Sequence, residues 1–207
     1  MMKLYPAIIL VCFSSGLLLS SCGDEPAAPV VKVVPEESVP QVATRMPNAT
    51  TLLGEPLFAG EVPAHIEEQY LLHKSKVDAN KLDLEELIWL GRYAGYKQDF
   101  REAVAVYTYA LQLFPNEPRL LRHRGHRYIN LRQFDLAIDD LARAADLIRG
   151  TKDVVEQDGL PNAAGVPVST LQGNIYYHLG VANFLHNDLP KAKWAFEKGL
   201  EVAKKSR

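Results

Sequence analysis

The chain has 207 residues, 47% of them hydrophobic, and a formal net charge of −2. That length holds one domain with a real core, and the near-neutral balance excludes the strongly positive surface that nucleic acid calls for. Cys12 and Cys22 are the two cysteines, both near the start, so the rest of the chain has neither a disulfide nor a cysteine metal site.

Residues 1–21 read as a targeting segment that takes no part in the fold. Lys3 supplies the positive start, residues 7–13 and 16–19 the apolar run, and Leu19-Ser20-Ser21-Cys22 closes it. The run is short for a membrane-spanning helix, and an ordinary secretory signal cut elsewhere is the alternative. The tetrapeptide resembles the lipobox of bacterial lipoproteins. That resemblance implies that Cys22 becomes the new N-terminus, diacylated on sulfur and acylated on its amine. Several acyl chains anchor durably where one gives only marginal binding. Gly23 rather than an Asp follows the cysteine, which points to the outer membrane, on its periplasmic or its surface face.

Over residues 22–60 the prolines Pro26, Pro29, Pro35, Pro40, Pro47 and Pro56 recur with Val, Ala, Glu and Thr, and no period survives. A disordered, partly extended tether is expected, with docking of residues 52–58 on the domain as the alternative. The folded domain then spans 61–207. It opens with a capping helix over 63–77, which carries Ile66, Tyr70, His73 and Val77 along one face. A terminal repeat needs its open side covered.

From Leu84 onward the chain repeats. Gly91, Phe100, Ala103 and Ala110 fall on Gly125, Phe134, Ala137 and Ala144 after 34 residues. Gly125, Ala137 and Leu141 fall on Gly180, Ala192 and Phe196 after 55, which is 34 plus an insertion of 21. A fixed period of this size marks a solenoid. The copies are 84–117, 118–151 and 173–206, with the insertion at 152–172. Each copy is two amphipathic helices, and a small residue in the first lets the second approach. Asp83 with Glu86, Asp99 with Glu102 and Ser169 with Gln172 form capping boxes. Pro118 suits a first helical turn, and Gly150 a helix end. In the insertion, Asp158-Gly159 and Pro161-Asn162 are turn signals. Its apolar residues Leu160, Val166 and Val168 favour an ordered loop packed on the array.

Leu87, Leu90, Gly91, Ala103, Tyr107, Ala110 and Pro115 resemble the tetratricopeptide repeat (TPR) pattern, with Leu87 in place of the usual Trp and Ala94 of the usual Tyr. The resemblance implies an all-α helix-turn-helix solenoid that binds rather than catalyses. It also implies that the first helix of each copy lines a concave groove. The groove would show Ile88, Arg92 and Tyr96, then Arg122, His126 and Asn130, then Tyr177, Val181 and Leu185 with Phe184 beside it. Each trio is spaced by four and shares one helical face. Arg122 and His126 together could read a carboxylate on a protein or peptide partner. The family's carboxylate clamp is not implied, because its Lys and Asn positions hold Ile88 and Arg92.

The basic run 122–127 points all around a helix and has no interleaved aromatics, which argues against nucleic acid. Arg124 stands where the other copies have Leu90 and Leu179, and a buried guanidinium needs a partner. It is expected to anchor the insertion, with Asp139, Asp140, Glu156 and Asp158 as candidate acids; a guanidinium snorkelling to solvent is the alternative. His123, His126 and His178 read as packing, since a zinc site wants a third ligand on the same face. Ser169, Thr170, His126 and Asp158 are parts for hydrolysis, but no motif arranges them. In the last helix Ala192, Phe196, Gly199 and Ala203 share a face, with Leu200 at its edge. Phe196 and Leu200 are expected to meet a second copy or a fixed partner. The sequence thus reads as a membrane-anchored binding scaffold without cofactor or metal. The alternatives are a hydrolase-like site between loop and groove, or a structural subunit of an envelope assembly.

Overall fold

The computed structural model describes residues 46–51, 53–156, 163–165 and 168–205. Cys22, the leader and the tether up to residue 45 lie outside the described residues, as do Asp158, Leu160 and Val166. From Met46 the tether expectation does not hold. Two short strands, β1 (Ala49–Thr50) and β2 (Pro56–Leu57), pair antiparallel. The Asn48 side chain donates to the Gln98 carbonyl at 2.8 Å, the Gly60 amide to Gln98 Oε1 at 3.0 Å, and Arg101 to the Pro47 carbonyl at 2.7 Å. The attachment runs through residues 47–48 and 60, while Leu53 and Phe58 stay exposed.

Among the described residues seven helices follow: α1 (Ala64–Ala79), α2 (Leu84–Tyr96), α3 (Phe100–Leu113), α4 (Pro118–Asn130), α5 (Phe134–Leu147), α6 (Leu171–Leu185) and α7 (Leu189–Lys205). They form three helix pairs with α1 packed on α2. Each helix touches the next in sequence, and in addition α2 touches α4 and α4 touches α6. No comparable contact joins α3 to α5 or α5 to α7 among the described residues. The first helices of the pairs therefore make the inner layer and the second helices the outer one, the all-α solenoid that the repeat implied.

The chemistry of the repeat explains the pairing. A Cβ on Gly125 would sit 2.7 Å from Leu141 Cγ, and one on Gly180 only 2.5 Å from the Phe196 ring. The glycine lets the partner helix lie against bare backbone. Ala103, Ala110, Ala137 and Ala144 are fully buried at the matching positions of the outer helices. Two hydrophobic clusters result, one on α1–α4 and one on α4–α7, and both pack against Leu111.

Caps end the helices largely where side chains can reach. Asp83 accepts from the Glu86 amide and Asp99 from the Glu102 amide, both at 3.1 Å. Glu117 caps α4, with Pro118 in the first turn. At α6 the cap is Thr170, which accepts from the Gly173 amide at 3.2 Å, rather than Ser169. Gln172 instead turns its side chain to Thr151. Gly150, at φ +76, lies beyond the end of α5 in the left-handed region that favours glycine. The turns inside the pairs use no glycine: Gln98, Arg132 and Asn187 occupy that region one per copy. The ends of the insertion form a stem in which Val155 bridges Thr170. Of the three apolar residues expected to pack the insertion on the array, Val168 is exposed, and Leu160 and Val166 lie outside the described residues.

Candidate functional site

The inner face of α2, α4 and α6 divides into a polar floor and an apolar end. Residues four apart on a helix share a face, and in α2 that brings Arg92 under Tyr96, to whose hydroxyl oxygen it donates at 2.7 Å. The same guanidinium lies over Trp89, 4.4 Å from the ring centroid. Trp89 and Tyr93 stack in turn on His73 of α1. Ile88, expected to line the groove, is buried instead, covered by the neighbouring helices as part of the first core cluster.

In α4 the arginines separate by role. Arg122 is buried, and its Nη2 donates to Glu156, a buried carboxylate of the insertion. Asn174 of α6 donates to the other Glu156 oxygen. Arg122 Nη1 also donates to His123 Nδ1 at 3.1 Å. Arg124, expected to hold the insertion, does not. It makes a two-pronged pair with Asp140 of α5, Nε to Oδ2 at 2.7 Å and Nη2 to Oδ1 at 2.8 Å, and donates to Thr108 of α3 at 3.1 Å. The reason is geometric: positions 122 and 124 lie on different faces of one helix, and the face at 124 looks at α5. Asp158, the other expected anchor, is outside the described residues.

Arg127 donates to His126 Nδ1 at 2.8 Å and lies against Gly95, where a Cβ would stand 2.6 Å from its Nη1. Among the described residues no carboxylate pairs with it. His126 packs on His178, with ring centroids 4.3 Å apart, and His178 Nδ1 donates to the Asn174 carbonyl at 2.7 Å. Burial pushes the His126 imidazole down to about 2, helped by the Arg127 charge beside it. His178 is pushed down to about 4, also chiefly by burial. His123, stacked on Tyr107, falls well below its ordinary value through burial and then the charge of Arg122. The floor therefore holds neutral imidazoles among the guanidinium groups of Arg92, Arg122 and Arg127.

The apolar end comes from the third copy. Tyr177, Phe184 and Leu185 are exposed on α6, and Val181 is half-buried between them. Asn130, at the end of α4, is half-buried, and its Oδ1 has no hydrogen-bond partner among the described residues. On α7, Phe196 lies on Gly180 and near the Tyr177 ring, while Leu200 is 61% exposed. Sequence reasoning misses Arg127 and Glu156 as groove elements. Arg127 reads as one charge in a run, although it stands one turn before the helix end, opposite a glycine. Among the described residues no group of three or more His, Cys, Asp or Glu is placed to hold a metal ion. None of the described helices is long and apolar enough to cross a membrane.

No family model matches the chain. Among solved structures it is similar to MamA MSR-1 C2, at 16% identity over 70% of this chain and 71% of that chain, with a TM-score of 0.50. It is also similar to a crystal structure of MamA, at 18% identity over 66% of this chain and 68% of that one, TM-score 0.52. A third likeness is to the MamA RS-1 ArsTM double mutant, at 22% identity over 66% of this chain and 65% of that one, TM-score 0.51. At such identities the likeness bears on fold alone. Together with the 34-residue period and the layered helix pairs, it shows the fold, a TPR-like all-α solenoid.

Proposed function

We propose that this chain is a non-catalytic scaffold of the bacterial cell envelope. It is anchored in the outer membrane through a lipidated Cys22 and binds a protein or peptide partner along the inner face of α2, α4 and α6. The observation that carries the reading is the division of that face. Arg92 and Arg127 supply positive charge beside Tyr96 in the first two copies, and Tyr177, Phe184 and Leu185 supply exposed apolar surface in the third. A peptide carrying an acidic group and an apolar residue would meet complementary chemistry at both ends. The lipobox-like tetrapeptide at residues 19–22 supports the anchor.

A hydrolase-like site is the weaker reading. An imidazole held down at about 2 is a poor general base near neutral pH. The Ser169 hydroxyl accepts from Asn174 at 3.3 Å, an arrangement that positions the insertion rather than activating a nucleophile.

Two variants test the binding reading. Tyr96→Ala with Tyr177→Ala should reduce partner capture at least tenfold while leaving the melting temperature within a few degrees. Tyr109→Ala, on the outer helix α3, should not reduce it. Equal losses from both would remove the inner face from the account. For the anchor, Cys22→Ala should leave an unprocessed precursor. A variant still cut to mature size and still fractionating with outer membrane after a salt wash would show that lipid does not hold it.

A further inference from the structure

Among the described residues the insertion meets the inner face through Glu156 and, at longer range, through Ser169, whose hydroxyl accepts from Asn174 at 3.3 Å. Val154, Val155 and Val168 stay 51%, 54% and 54% exposed, so burial of apolar surface does not fasten the stem. What enters the interior is Glu156, only 4% exposed, with its carboxylate shared between Arg122 of the second copy and Asn174 of the third. Its backbone attachment is slight. The Glu156 amide donates to the Ser169 carbonyl at 3.0 Å and the Leu171 amide to the Val154 carbonyl at 2.9 Å. Arg122 occupies the position that Ile88 and Tyr177 hold in the other copies, within the inner layer of helices. A guanidinium placed to read an acidic group therefore already holds one, supplied by the chain itself.

We propose that Glu156 is a built-in competitor: it occupies an anion subsite of the groove, and an acidic group of a peptide partner binds at Arg122 by exchanging for it. The proposal rests on the groove reading above. Exchange keeps Arg122 paired throughout. The state in which one partner of a buried ion pair is removed, the expensive one, is avoided because one carboxylate replaces another on the same donor. The covalent structure does not change. The consequence is regulatory, since apparent affinity falls in proportion to the fraction of chains whose subsite is open.

The test is titration calorimetry of the full chain with an acetylated hexaglutamate peptide, for wild type, Glu156→Gln, and Glu156→Gln combined with Arg122→Ala. Glu156→Gln should bind about tenfold tighter than wild type, because the amide competes poorly for the guanidinium. The double variant should lose that gain. Hydrogen exchange on the wild-type chain is the second measurement and does not depend on a variant folding. Adding the peptide should speed exchange at the Glu156 amide as its bond to Ser169 opens. Unchanged or increased protection there, or a folded Glu156→Gln that binds no better than wild type, overturns the exchange and leaves the groove reading standing. No binding by any of the three chains overturns the acidic-group reading and the exchange together.

Discussion

Arg122 and Arg124 are two residues apart on α4 and answer to different carboxylates. The departure of Arg124 from the apolar positions of Leu90 and Leu179 is visible in the sequence, and so is its need for a partner. The identity of the partner has a signal too: Asp140 also departs from its counterparts Val106 and Ala195, so two apolar positions change together. The pair predicts its own test. Arg124→Leu alone should destabilise by about 3–5 kcal/mol, since it leaves Asp140 buried without its partner. Arg124→Leu with Asp140→Val should recover most of that loss in a urea melt. A double variant no better than the single would show that the ion pair is not the issue.

The histidines give a pH dependence at the same scale. His126 and His178 have folded pKa values below the unfolded value of about 6.5. The unfolded chain thus takes up protons first. Their contribution to stability is fully present above about pH 6.5 and is lost as pH falls, towards 4 for His178 and further for His126. The slope is about 1.4 kcal/mol per pH unit for each group inside its window. Urea melts between pH 7 and 4 should show the decline, and His178→Gln should make it shallower. Parallel profiles would mean that the imidazole is not held neutral by the fold.

At the scale of elements, the helix pairs are legible in the repeat itself, because period, glycine and alanine report one requirement, close approach. The same logic orders two substitutions. Gly180→Ala places a methyl 2.5 Å from the Phe196 ring and should cost about 1–3 kcal/mol by overpacking. Gly199→Ala meets Tyr176 Cβ at an ordinary 3.5 Å and should gain up to about 1 kcal/mol from helix propensity. Equal effects on the melting temperature would contradict the packing argument. What the sequence hides at this scale is long-range pairing. The hairpin at 49–57 is too short for a strand period, and its anchors Asn48 and Arg101 lie fifty or more residues from the backbone groups they bond. The stem of the insertion misleads because its valines suggest packing, while Val154, Val155 and Val168 are exposed and its described contacts to α6 and the inner face are polar, the buried Glu156 carboxylate among them.

For the whole molecule, the exposed apolar surface of the third copy bears on assembly. Leu200 is exposed where its counterparts Leu111 and Ala145 are packed into the cores. If that surface meets a second copy, residues 46–207 should sediment as a concentration-dependent dimer or larger species, and Leu200→Glu should shift them to monomer. A wild-type monomer at every concentration would restrict the surface to a different partner. The central claim, that the inner layer receives a partner, is tested most directly by photo-cross-linking in intact cells with a benzoylphenylalanine placed in turn at Tyr96, Tyr177 and Tyr109. One common adduct is expected from Tyr96 and Tyr177 and none from Tyr109. An adduct formed from Tyr109 alone would contradict it.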